Sequence, residues 1–285
     1  QPQEKEGAVL LGMLQSSAYY GSSAGAFSQI TGVRYKSAKS LLGTTDTKAE
    51  YDPIYADGQT FMTYRFSPKL SVSFLGNISQ TRYKFVPQTR ETSFGTLSDA
   101  KKLKIFFDGQ EQDRFLTYFG AFSMNFVPDD KQRHTVTLSA FNSNERETYD
   151  IQGEYFLNDV QLGADGTASM ASGSENSNGL GIGRNHEHAR NRLSYRVLNI
   201  GYRGEMKLNE KHRLQAGVSA QMEKIADHIS EWERRDSVGY NLPHSETVLL
   251  MYNNLYADTQ MKGTRLSAFV QDRFNFSMGG GTFSL

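Results

Sequence analysis

Apolar and polar residues alternate one for one along much of this chain. In Leu70-Ser71-Val72-Ser73-Phe74-Leu75-Gly76-Asn77-Ile78-Ser79 the even positions are apolar or small and the odd ones mostly polar. Leu214-Gln215-Ala216-Gly217-Val218-Ser219-Ala220-Gln221-Met222-Glu223 and Thr135-Val136-Thr137-Leu138-Ser139-Ala140 repeat the pattern. A period of two sends successive side chains to opposite sides of a strand, so each stretch predicts a strand with one oily and one wet face.

Turn chemistry groups these strands into hairpins. Clusters of Gly, Pro, Asn, Asp and Ser, the residues tight turns require, lie near Gly21–Gly25, Ser67–Lys69, Pro128–Gln132, Lys207–Lys211 and Ser277–Gly281. They pair 9–20 with 26–38, 59–66 with 70–85, 114–127 with 133–144, 193–206 with 212–224, and 265–275 with 282–285. The first of these pairs alternates least clearly. Between the hairpins run long polar connections, 39–58, 86–113, 145–192 and 225–263, the third containing the Gly/Ser-rich stretch 163–183. Loops of that length are out of place in a compact soluble domain. Short turns alternating with long loops are the pattern of a transmembrane β-barrel. The expectation is an all-β, antiparallel sheet of about ten strands, curved as a barrel wall, with the four long loops at one end. A soluble β-sandwich shares the alternation, and the loop lengths favour the barrel.

The faces follow from the period. Leu116, Tyr118, Phe122, Met124 and Phe126 share one side of a strand, Thr117, Ser123 and Asn125 the other. Leu198, Ile200, Tyr202 and Met206 likewise oppose Asn199, Arg203 and Glu205. Val72, Phe74, Val136, Leu138, Ala216 and Val218 are expected to face outward, toward lipid. Ser71, Ser73, Thr135, Thr137, Gln215 and Ser219 are expected on the concave side.

Composition narrows the class. The formal net charge of zero argues against a general nucleic-acid-binding face. A mean hydropathy of −0.56 excludes a helical membrane bundle but not a barrel, where only every second strand residue meets lipid. The longest apolar run, Ala8 to Leu14, is far shorter than the roughly 20 residues of a spanning helix. With no cysteine there is neither a disulfide framework nor thiolate chemistry. Fifteen Tyr and 18 Phe suit interfacial girdles, although β proteins are aromatic-rich in general. A start at Gln1 without a signal region, and an end inside a strand-like stretch, lead one to expect a piece of a longer polypeptide.

Candidate chemistry is sparse. His186-Glu187-His188 offers at most two imidazole ligands, and its position before a strand favours a polar loop edge over a metal site. Gly179-Leu180-Gly181-Ile182-Gly183 lacks the spacing and the following helix of a phosphate loop. Asp108, Glu111 and Asp113 supply oxygen ligands but match no calcium-loop spacing, so solvated loop charge is the better reading. No Ser/His/Asp set stands out, and the chain is expected to be no enzyme, with no metal and no cofactor. Arg34, Arg65, Arg203 and Glu223 fall on or near the wet faces, where a watery or protein-filled lumen tolerates charge.

Longer stretches carry a resemblance. They include Gly32-Val33-Arg34-Tyr35-Lys36, Leu41-Leu42-Gly43 through Asp46-Thr47-Lys48-Ala49-Glu50-Tyr51, and Phe74-Leu75-Gly76-Asn77-Ile78. Further along are Arg90-Glu91-Thr92-Ser93-Phe94-Gly95-Thr96, Phe106-Phe107-Asp108-Gly109-Gln110-Glu111 and Glu147-Thr148-Tyr149-Asp150-Ile151-Gln152-Gly153. The last are Glu187-His188-Ala189-Arg190-Asn191, Ile229-Ser230-Glu231-Trp232-Glu233 and Ala268-Phe269-Val270-Gln271-Asp272. In this order the chain resembles the barrel region of Bacteroidetes-type TonB-dependent outer-membrane receptors. The resemblance implies a barrel of about 22 strands with a plugged lumen. Residues 1–285 would form somewhat under half of it, a partial outer-membrane barrel domain without the family's plug domain, TonB-interacting segment or terminal strands.

It also implies a function. The intact protein would sit in the cell outer membrane and capture a scarce nutrient on its extracellular loops, an iron–siderophore complex, a cobalamin-like molecule or an oligosaccharide. Transport would be driven by a TonB-type energy-coupling complex, with the plug domain and outer-membrane lipid as further partners and no nucleic acid. Tyr149, Tyr155, Trp232, Tyr240 and Tyr252 are loop aromatics placed to stack on such a ligand, with loop packing as the alternative role. A passive porin-like barrel and a soluble β-rich binding or adhesion module are the rival classes.

Overall fold

The structure is a computed structural model and describes residues 5–42, 49–96, 99–162, 168–170, 180–209, 211–237, 247, 250–278 and 281–284. Fourteen strands form one antiparallel sheet. In chain order they are β1 (Lys5–Leu10), β2 (Gln15–Ala24), β3 (Phe27–Ser37), β4 (Ala49–Tyr51), β5 (Ile54–Ser67), β6 (Leu70–Pro87) and β7 (Arg90–Thr96). They continue with β8 (Asp99–Asp129), β9 (Gln132–Leu162), β10 (Ala168–Met170), β11 (Leu180–Lys207), β12 (His212–Asp236), β13 (Asn253–Met278) and β14 (Gly281–Ser284). One short helix, α1 (Lys39–Leu42), lies between β3 and β4. The sheet runs β1-β2-β3-β5-β6-β8-β9-β11-β12-β13-β14, with β4, β7 and β10 added beside β6, β8 and β9. Each strand on that path pairs with its predecessor, so the sheet is an unbroken meander.

The five expected hairpins are all present. Ala24 pairs with Phe27, Ser67 with Leu70, Asp129 with Gln132, Lys207 with Arg213 and Met278 with Gly281. In the first, Gly25 takes a φ of 57°, a left-handed conformation that favours glycine in the tight turn. Because neighbouring strands are antiparallel, these turns share one end of the sheet and the longer connections share the other.

Two expectations need correction. The segment 9–20 is not one strand: β1 ends at Leu10, β2 begins at Gln15, and the two pair with each other. Gly12 sits in the link, where an added Cβ would come within 3.0 Å of the Gln15 carbonyl oxygen. The long connections are also largely not loops. β8 begins at Asp99, β9 runs to Leu162, β11 starts at Leu180, and β12 and β13 reach Asp236 and back to Asn253. Much of 86–113, 145–192 and 225–263 is therefore hydrogen-bonded ladder, and residues 54–58 belong to β5.

Register sorts the side chains into two faces. A first face carries lateral rows such as Met62, Phe74, Phe122, Leu138, Ile200, Ala220 and Leu266. The neighbouring row is Tyr64, Val72, Met124, Val136, Tyr202, Val218 and Ala268. A second face carries Ser73, Ser123, Thr137, Gly201 and Ser219 in one row and Ser71, Asn125, Thr135 and Arg203 in the next. Its side chains bond across strands: Ser123 to Thr137 at 3.1 Å, Thr135 Oγ1 to Asn125 at 2.9 Å, and Asn199 to Ser139 at 3.2 Å. The expected division of Val72, Phe74, Val136, Leu138, Ala216 and Val218 from their six polar partners is the division observed.

Among the described residues no second layer covers the apolar rows. Phe74, Leu138, Val218 and Leu266 are 41%, 46%, 57% and 77% exposed, and among the described residues no large side chain is fully buried. A β-sandwich of this size would enclose such side chains between two sheets. Within the described residues the sheet is open: β1 pairs only with β2, and β14 only with β13.

Candidate functional site

Beyond the apolar rows, toward the end with the longer connections, both faces turn polar. On the second face this region is a wall of carboxylates and phenols. Its lateral rows are Glu111, Tyr149, Ala189 and Glu231, then Asp113, Glu147 and Asn191, then Ile151, Glu187 and Glu233. Pairing, not proximity in sequence, assembles them, since β8, β9, β11 and β12 each contribute.

Glu111, Asp113 and Glu147 each offer a carboxylate oxygen within 4.8 Å of the others. Burial, together with the charges of its neighbours, raises the pKa of Glu111, and the same pair of causes raises that of Asp113. Asp113 Oδ1 is buried without a hydrogen-bond partner among the described residues. Asn191 Nδ2 donates to Glu147 at 2.9 Å and to Glu231 at 2.6 Å, tying the second and first rows together. The Tyr149 phenol stands near Glu187, and burial followed by that carboxylate's charge raises its pKa, so it stays protonated at any physiological pH. A hollow of about 330 Å³ opens here, bordered by Glu147, Tyr149, Glu187, Glu231, Glu233 and Asn253. Such a wall can accept hydrogen bonds from hydroxyls or amines and attract cations. Three carboxylates are fewer than the six to eight oxygens a calcium ion takes.

The first face differs at the same height. His186, His188 and Arg190 alternate along β11 and converge on Asp150 of β9, at 2.7, 3.3 and 2.9 Å. Burial works to raise the Asp150 carboxyl, but the bonds from His186 and Arg190 outweigh it and hold its pKa below the usual carboxylate value. Trp232 of β12 stacks on His188 with ring centroids 4.8 Å apart and meets His186 edge-on.

The five aromatic candidates are therefore dispersed. Tyr149 and Tyr155 stand on β9 on the second face, Trp232 is on the first face, and Tyr252 packs against Arg235, whose guanidinium carbon lies 3.6 Å from the ring centroid. Tyr240 lies outside the described residues. Tyr149, Tyr155 and Trp232 lie within strands rather than loops. His186-Glu187-His188 is likewise in the interior of β11, not at a loop edge. Asp108 parts from Glu111 and Asp113: it lies on the first face and accepts from the Gly109 amide at 2.9 Å. Glu147, on the next strand, takes its place in the cluster. Gly181 and Gly183 flank a register shift between β11 and β9, so the glycine run serves a β-bulge. Arg34, Arg65, Arg203 and Glu223 all lie on the second face, Arg34 paired with Asp57 at 2.8 Å.

Sequence reasoning singled out Glu111, Asp113 and Tyr149 but missed the rest of the acidic wall and its assembly. Glu111 and Glu147 lie 36 positions apart in the chain, and only strand register brings them together. The chain matches no protein-family model and no curated protein.

Proposed function

We propose that this chain is part of the wall of an outer-membrane β-barrel of the TonB-dependent receptor type, and that its acidic wall lines the path of the captured nutrient. The observation that carries the reading is the uncovered apolar band on the first face. On β6 it runs from Leu70 to Ile78, on β8 from Tyr118 to Phe126 and on β11 from Leu198 to Met206. Nine residues per strand match the roughly 9–11 of a transmembrane strand. At about 3.3 Å per residue and a tilt of about 40°, the band would stand about 23 Å tall, close to the roughly 25 Å apolar belt of such barrels. Aromatic side chains mark its edge nearest the hairpin turns: Tyr64 against Phe66 at 4.7 Å, and Tyr202 stacked on His134, which Phe126 also meets.

The same geometry supports the division of labour. Hairpin turns at one end correspond to the short periplasmic turns, and ladders continuing past the band correspond to the extracellular side. The second face, mostly polar through the band though Leu75, Phe119 and Phe141 also stand on it, and acidic above it, suits a lumen filled by water and a plug. Hydroxyl-rich or cation-bearing nutrients suit its carboxylates better than anions do. Strands beyond β1 and β14 would close the barrel, because an open edge leaves N–H and C=O groups that lipid does not satisfy.

The test has two stages. The natural protein should fractionate with outer membrane, require detergent for extraction, and migrate as a compact, heat-modifiable band. Cells carrying it should then take up one of an iron–siderophore, a cobalamin or an oligosaccharide, and lose that uptake when the proton gradient is collapsed. Uptake that survives the collapse points to a passive porin. Recovery in the soluble fraction without detergent removes the membrane reading altogether.

A further inference from the structure

We infer that the first face binds a phosphate-bearing, net-negative lipid of the surrounding leaflet, its acyl chains on the apolar band and its phosphate on a lateral row of arginines. This rests on the membrane reading above. Arg82 of β6 pairs with Arg114 of β8, Arg114 with Arg146 of β9, and Arg146 with Arg192 of β11. The four stand side by side on one face, spanning about 14 Å at the spacing of neighbouring strands. Two face positions closer to the band, Arg196 pairs with Lys224 and Lys224 with Lys262, giving a second row on β11, β12 and β13. All seven side chains are exposed.

Like charges directly opposite one another destabilise a sheet. Among the described residues none of the seven forms an ion pair with a carboxylate. Arg114 leans on a neutral group, the Gln80 amide oxygen, at 2.9 and 3.1 Å in the amide orientation that satisfies both partners. The nearest acids on this face have other partners: Asp150 is held by His186, His188 and Arg190, and Asp258 lies 3.8 Å from His228. Six carboxylates at about this height, Glu111, Asp113, Glu147, Glu187, Glu231 and Glu233, lie on the opposite face, in the acidic wall. A net charge of zero thus conceals a basic outer row and an acidic inner wall at the same height.

Space for an apolar chain adjoins the cations. A groove of about 970 Å³ crosses the first face, floored by Gly58, Gly76, Gly120 and Ala140 and edged by Arg196, Lys224 and Lys262. At Gly120 an added Cβ would meet only the Phe74 ring, at 3.7 Å, so the missing side chain leaves room above the backbone. An apolar trough continuous with the band, rimmed by cations, fits one molecule that is oily at one end and anionic at the other. Guanidinium groups match phosphate oxygens in bidentate geometry. An acidic peptide would satisfy the rows but has nothing to place in the groove.

The test uses the intact protein, freed of native lipid in a neutral detergent. It is titrated with phosphatidic acid and, separately, with phosphatidylcholine of the same acyl chains, and bound lipids are counted by native mass spectrometry. Phosphatidic acid should be retained under conditions that strip phosphatidylcholine. R82Q, R114Q, R146Q and R192Q should each weaken retention roughly fivefold, the worth of about 1 kcal/mol per cation near an anionic surface. R65Q, R203Q and R265Q, on the second face, should leave it unchanged. Heat-modifiable migration checks that each variant has folded, and the wild-type preference stands without any variant. A protein that inserts in membranes yet holds both lipids equally, or loses phosphatidic acid equally with the second-face variants, overturns the site while the barrel reading survives. Competition by inorganic phosphate as effective as by phosphatidic acid would overturn the lipid assignment. Failure to enter membranes at all would overturn the barrel reading itself.

Discussion

The two halves of the long strands obey one backbone geometry and opposite chemistries. On β9, residues 134–142 present Val136, Leu138 and Ala140 to the first face and Thr135, Thr137 and Ser139 to the second. Residues 144–154 of the same strand present Asn144, Arg146, Thr148 and Asp150 to the first face and Glu145, Glu147 and Tyr149 to the second. The ladder does not change, with Leu138 facing Phe122 as regularly as Asp150 faces Gln110. Only the apolar half reports its period to a hydropathy pattern. Strand pairing rests on backbone hydrogen bonds and needs no oily face, so the polar half continues as strand unannounced.

One charge placed in each half separates the two chemistries most strongly. If the band meets lipid as proposed, Leu138→Arg, at mid-band, should cost about 2–4 kcal/mol in a refolding titration of the intact protein into lipid vesicles. Asn144→Arg lies on the same strand and face but above the band, and should cost less than about 0.5 kcal/mol, as exposed substitutions usually do. Equal costs at the two positions would mean that the band does not meet lipid.

How much was legible follows from the same contrast. Five hairpins were readable, because turns such as Ser67-Pro68-Lys69 and Pro128-Asp129-Asp130 carry their chemistry on the spot and lie between alternating stretches, whereas the pairings of β1 with β2 and of β7 with β8 were not. The face assignment was readable for the same reason. The upper ladders were not: Arg146-Glu147-Thr148-Tyr149-Asp150 is polar on both sides, and its composition is that of a loop. The candidate site was the least legible part. Glu111, Glu147 and Glu231 form one wall only through three pairings across four strands, information that resides in register and not in local pattern. The aromatic candidates were chosen as loop residues, and the strands then sent Tyr149 and Trp232 to opposite faces.

A second prediction probes the upper ladder's own constraint. Gly109 has a φ of 101°, and an added Cβ would lie 1.9 Å from the Asp150 carbonyl oxygen. Gly109→Ala should therefore cost at least about 1–2 kcal/mol. The loss should be local. Hydrogen exchange should accelerate at amides of residues 105–112 and 148–153 while residues 118–126 remain protected. Uniform acceleration would show that the two halves unfold as one unit and are not separable.

Charge gives a third, smaller effect. The Asp150 carboxyl has its folded pKa below its unfolded one, so its contribution is present above the unfolded value and fades as pH falls through the folded value. The group is 43% exposed, so solvent screening limits that contribution to no more than about 1 kcal/mol. Asp150→Asn should loosen the upper ends of β9 and β11 at neutral pH and leave them unchanged in strong acid. An equal loosening at both pH values would assign the effect to packing against Trp232 rather than to charge.

The acidic wall should respond with the opposite sign, and this is the weakest effect. Burial first, then neighbouring carboxylates, raise the folded pKa values of Glu111 and Asp113 above their unfolded ones. A raised carboxyl makes the folded state costlier when ionised. That cost is complete above the folded pKa and is relieved as pH falls toward the unfolded value. Asp113→Asn or Glu111→Gln should therefore tighten the upper ladder by a few tenths of a kcal/mol at neutral pH, a size typical of half-exposed charges. The gain should vanish below the carboxylate range, where the native side chains are already neutral. A wall kept at such a cost is better explained by what it faces than by stability. If the gain appears while uptake of a cationic or hydroxyl-rich nutrient falls, the carboxylates serve the ligand. If stability and uptake both rise, the carboxylates do not serve the ligand of the proposed uptake.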